Sequence, residues 1–100
     1  MSTVSRIMRI SLETTVLASP QQVSCDIADE AVLLSMRDGE YYGLNEVGAS
    51  IWKLIQKPRT VQQVRDTLLE EYAEISVEDC EREVLAFLNE MISLDLVQVL

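Results

Sequence analysis

The stretch from Asp38 to Trp52, DGEYYGLNEVGASIW, constrains the fold most, because the spacing of apolar residues changes inside it. Asp38-Gly39 is a hairpin signal, since glycine tolerates a positive φ, and the run from Glu40 to Leu44 then alternates as a strand does. From Asn45 the spacing is helical. Asn45 caps a segment running to about Gln56, in which Ile51, Trp52, Leu54 and Ile55 form an apolar face. Lys53 and Lys57 lie near the negative end of the helix dipole, and Pro58 ends the segment.

The rest of the chain follows this division. Before it, Val23 to Ile27 and Ala31 to Met36 read as two further strands, with ADE and RDG as the turns. After it, Thr60 and Gln63 have capping-box spacing and open a helix with Val61, Val64, Leu68 and Tyr72 along one side. Ser76 and Asp79 repeat the opening signal for the longest helix, and the final LVQVL has extended character. The expected fold is α+β, a three-stranded antiparallel sheet followed by three helices, with a winged helix-turn-helix-like layout. Residues 1–20 read as a partly ordered N-terminal arm, on which RIMRISL has the makings of another strand, and residues 21–100 as one domain.

A winged layout raises the question of DNA, and charge answers it. The chain has 17 acidic residues, 8 lysines and arginines and no histidine, for a net charge of −9. Affinity for a phosphate backbone comes from cations displacing counterions, so neither nucleic acid nor an anionic membrane is an expected partner. From Thr60 onward ten acidic residues face only Arg65 and Arg82, and the entry to the third helix carries Glu78, Asp79, Glu81 and Glu83. A recognition helix needs the opposite sign.

The absence of histidine removes the usual base near neutral pH and the commonest metal ligand. Cys25 and Cys80 belong to no CxxC pair, so no metal and no cofactor is expected. They read as two small buried apolar side chains; a disulfide has no secretory context to support it, and no histidine is present to activate either thiol. No apolar run has the length of a signal peptide or membrane span, so the expected location is the cytoplasm.

Two features point to binding. At about 100° per residue, Val84, Leu85, Phe87, Leu88, Met91, Ile92 and Leu94 cover roughly 200° of the third helix, wider than one core-facing stripe. Taken singly, each is an ordinary core residue. In the strand EYYGL, Leu44 and Tyr42 point inward and Tyr41 outward, and Gly43 implies either a bulge or the close approach of another backbone. If this strand is an edge, its free backbone groups can pair with an extended peptide, and the spare arc of the third helix supplies a second wall.

The segments DEAVLLSMRDGEYYGLNEVGASIWKLI, TVQQVRDTLLEEY and EVLAFLNEMISLDLV, taken together, resemble the PqqD family, the RiPP recognition elements that bind leader peptides. Leu44-Asn45, Ile51-Trp52 and Thr60-Val61 carry the resemblance in order and spacing, over about Val23 to Leu96. RDGEYYGLN is most similar to the stand-alone recognition proteins of lasso peptide clusters.

The resemblance implies a non-catalytic adaptor that binds the leader of a precursor peptide by strand addition. It would present that leader to a leader peptidase, a cysteine protease, with an asparagine-synthetase-like cyclase as a further partner. It implies that Glu40, Tyr41, Tyr42, Gly43 and Leu44 hold the leader, with Glu81, Arg82, Leu85 and Leu88 on the helix side. A PqqD-like chaperone for another modifying enzyme is the alternative within this class, and an acidic winged-helix regulator the alternative outside it.

Overall fold

The computed structural model describes residues 10–19, 22–27, 30–35 and 39–100. Arg6, Arg9, the ADE turn up to Asp29, and Met36, Arg37 and Asp38 lie outside the described residues. Strands β2 (Gln22–Ile27), β3 (Glu30–Ser35) and β4 (Tyr41–Leu44) form an antiparallel sheet in the order β2-β3-β4. Helices α1 (Glu46–Leu54), α2 (Val61–Glu71) and α3 (Val77–Ser93) follow. Each helix begins where a side chain satisfies backbone N–H groups that the helix leaves unpaired. Asn45 Oδ1 accepts from Gly48 N at 2.8 Å, and Thr60 and Gln63 form a reciprocal capping box. The Ser76 hydroxyl accepts from Asp79 N at 3.1 Å.

A second sheet accompanies the first. β1 (Thr15–Ala18), in the segment the sequence reading treats as an arm, lies between β5 (Arg59–Thr60) and β6 (Val97–Val99), antiparallel to both. Val16 is fully buried, and Ala18 N donates to the Ile55 carbonyl at 2.8 Å, which ties the strand to the end of α1. Residues 10–14 precede it as a turn, closed by Thr14 N donating to Ser11 O.

α3 ends in a Schellman arrangement. Asp95 takes φ +60°, Leu96 N donates to the Met91 carbonyl, and Asp95 N donates to the Ile92 carbonyl. Leu96 thereby folds onto Met91, both buried, and delivers the chain into β6.

One core joins the two sheets to the helices. Leu33 and Leu44 come from the first sheet, Val16 and Val97 from the second, and Ile51, Trp52, Ile55, Val64, Leu68, Val84 and Leu88 from the helical segments. The Ser50 and Tyr72 hydroxyls, 3.1 Å apart, link α1 to the end of α2.

Candidate functional site

Strand β4 pairs with β3 in an unbroken register, Ala31 opposite Leu44, Val32 opposite Gly43, Leu33 opposite Tyr42 and Leu34 opposite Tyr41. Leu44 is buried and Tyr42 half-buried against the core, whereas Tyr41 and Gly43 point outward and Tyr41 is 71% exposed. Neither explanation offered for Gly43 applies within the chain. Continuous pairing leaves no place for a bulge, and nothing lies within 4 Å of where its Cβ would stand.

Among the described residues β4 ends its sheet. On an edge strand, alternate residues direct their N–H and C=O groups away from the sheet, where another strand can accept them. Glu40 is exposed beside this edge, and Gly39 at φ +72° has the left-handed conformation a turn glycine supplies.

Asn45 connects this edge to a cleft. It follows Leu44 directly, caps α1, and lines an open groove of about 260 Å³ with Val47, Gly48 and Ile51 on one side and Glu83, Ala86, Phe87 and Glu90 on the other. The walls are therefore α1 and α3, and β4 reaches the groove at its C-terminal end. Close helix contact shapes the floor: a Cβ added at Gly48 would stand 3.1 Å from Phe87 Cε1.

The wide apolar arc of α3 resolves into three parts. Cys80, Val84, Leu88 and Met91 are its buried centre. At about 100° per residue, Glu81, Leu85 and Ile92 fall on one flank and Glu83, Ala86, Phe87 and Glu90 on the other. The first flank faces α2, where Glu81 accepts from Arg65 Nη1. That bond, and then Asp66, hold the Arg65 guanidinium above its ordinary pKa, so it stays charged. The second flank faces α1 and forms the groove.

The four helix residues named from the resemblance thus occupy three environments. Leu88 is in the core with 0% exposure. Glu81 and the half-buried Leu85 are on the α2 flank. Arg82 is exposed and pairs with Asp79 at 2.9 Å. The groove residues Glu83, Ala86, Phe87 and Glu90 went unselected; their one signal in sequence is a spacing of three, one and three that places two acids around an alanine and an aromatic ring.

Cys80 is buried and forms no disulfide. Its Sγ lies 3.7 Å from the Arg65 carbonyl, to which it donates, and burial pushes its thiol pKa up, with Glu83 adding to the effect. A thiol held protonated inside the core is a poor nucleophile. Among the described residues there is no group of acidic or sulfur side chains arranged for a metal ion, and no helix long and apolar enough to cross a membrane.

Comparison with known proteins agrees with this architecture. The chain is 32% identical to TbiB1, solved in complex with the TbiA(beta) leader peptide; the match covers 82% of this chain and 94% of that one, with a TM-score of 0.75. It is 25% identical to a lasso peptide synthetase B1 complexed with the leader peptide, over 83% of this chain and 96% of that one, with a TM-score of 0.73. The fold is shared by the PqqD truncation of Methylobacterium extorquens PqqCD, a stand-alone RiPP recognition element, at 16% identity and a TM-score of 0.74 over 90% and 95% of the two chains. No curated protein matches the chain. The family model for Coenzyme PQQ synthesis protein D (PqqD) matches residues 30–97, which takes in β3, β4 and all three helices. With more than half of its length inside that match, the chain belongs to the PqqD family.

Proposed function

We propose that this protein is a leader-binding adaptor of lasso peptide maturation, which takes the precursor's leader as an added strand on β4. The observation that carries the proposal is the position of Tyr41–Leu44 at the end of its sheet among the described residues, continuous through Asn45 with the α1–α3 groove, in a chain 32% identical to a protein solved with a leader peptide. Backbone pairing supplies affinity with little demand on sequence, and side chains that reach the groove supply selectivity. The exposed Gly43 puts no side chain on the outer face, which leaves space there for the cross-strand side chain of an incoming strand.

The adaptor acts in the cytoplasm and has no chemistry of its own. No histidine is present in the sequence, and Cys80 is held protonated in the core. Its contribution to maturation is effective concentration: a leader held on β4 is delivered to a cysteine-protease leader peptidase, and the core segment then passes to the cyclase. The recognition domain takes in residues 21–100 together with the Thr15–Ala18 strand, which the second sheet joins to it.

Backbone amide exchange on titration with a synthetic leader, taken from the precursor in the same gene cluster, tests the proposal. Strand addition protects amides of β4 with a period of two, because only alternate N–H groups point away from β3. Binding without that alternation refutes strand addition, and no binding refutes the adaptor.

A further inference from the structure

The acids of α3 differ in how their charges are satisfied. Asp79 is paired with Arg82, and Glu81 with Arg65. Glu83 and Glu90 line the groove and have no cation partner among the described residues. The other groove residues are Asn45, Val47, Gly48, Ile51, Ala86 and Phe87, so among the described residues the cleft holds two carboxylates, an apolar floor and no cationic side chain.

We infer that the groove selects a leader segment in which two lysines or arginines bracket an apolar side chain. The apolar residue packs on Phe87 and Ala86, and the cations pair with Glu83 and Glu90. Seven residues of helix separate the two acids, about 10.5 Å along the axis. An extended peptide advances about 3.3 Å per residue and only alternate side chains share a face, so cations four positions apart, about 13 Å, with the apolar residue midway between them, match this span within the reach of a long side chain. Asn45 is exposed and lines the groove, and with its side-chain oxygen committed to capping α1 its amide N–H groups are left as donors for a leader carbonyl. A basic leader also gains in encounter rate, since the protein carries a net charge of −9.

The inference rests on the leader-binding reading, and one set of titrations separates the two. The probe is the same cluster-encoded leader, labelled with fluorescein and followed by fluorescence polarisation at low and high salt. The groove variant is Glu83→Gln with Glu90→Gln; the charge-matched control is Glu70→Gln with Glu74→Gln, both exposed and away from the groove. The expected result is about five- to tenfold weaker binding for the groove variant at low salt, and a flatter salt dependence, with the control near wild type. Replacing the leader's basic pair with glutamine should cost the wild type as much and the groove variant almost nothing. Equal affinities for groove variant and control, or a leader without such a pair, overturn the inference while leader binding stands. Failure of the wild type to bind the leader overturns both.

Discussion

Gly48→Ala should leave the protein folded and spoil its groove. The new methyl would stand 3.1 Å from Phe87 Cε1 and 3.2 Å from Asn45 Oδ1. Carbon atoms in contact settle at about 3.5–4.0 Å, so the Phe87 ring must retreat by roughly half an ångström. Overpacking of a closed core costs about 1–3 kcal/mol, but this ring borders an open cleft and yields into it, which places the cost near the lower end. Removing a glycine from the helix returns about 0.5–1 kcal/mol. The two effects nearly cancel, and urea unfolding followed by circular dichroism should give a stability within about 1 kcal/mol of wild type. Leader affinity should fall at least tenfold, because the ring that yields fills the space a bound side chain needs. Phe87→Leu in the same background shortens the offending ring and should restore part of the affinity. A loss of more than about 3 kcal/mol would show that Phe87 is pinned, and unchanged affinity in a stable variant would show that the groove takes no part in binding.

Leu88→Ala should destabilise by about 2–5 kcal/mol, since the side chain is fully buried, and lower the thermal midpoint by roughly 10 °C or more. Arg82→Ala, six residues before it on the same helix, loses only an exposed pair with Asp79 and should stay within about 0.5 kcal/mol. Calorimetry on the two distinguishes a core position from a surface one. For Cys80, burial raises the folded-state thiol pKa, so the folded form keeps its proton while the unfolded chain ionises. The resulting contribution is present below the ordinary thiol pKa of about 8.5 and is lost as pH rises through it toward the folded value. Cys80→Ala should flatten the fall in stability above that pH, and the native thiol should resist a thiol reagent until the chain is unfolded.

What was legible in the sequence was local. Asn45, Thr60 with Gln63, and Ser76 announce the helix starts through residues three positions apart, and the same bonds are found in the structure. The inward and outward sides of EYYGL follow from alternation alone. Of the second sheet only the final strand was legible, as the extended LVQVL; β5 has two residues and β1 four, too few to show a period, and their partners are remote in sequence. Gly43 invited a bulge that the register excludes. The arc on α3 was visible as an excess, but its division was not: which flank meets α1 and which meets α2 is decided by how those helices pack. Arg65 in particular takes Glu81 from sixteen positions away, and nothing local to either residue signals the pair.

The second sheet also dictates an order of events on the ribosome. Val16 is paired with Val99, so β1 emerges about 80 residues before its longer partner exists. β2, β3 and β4 are consecutive, and their pairing needs only short loops to close. The edge proposed to hold the leader can therefore assemble before the second sheet, in which β1 waits to be tied to the α1–α2 connection and to the strand that follows α3.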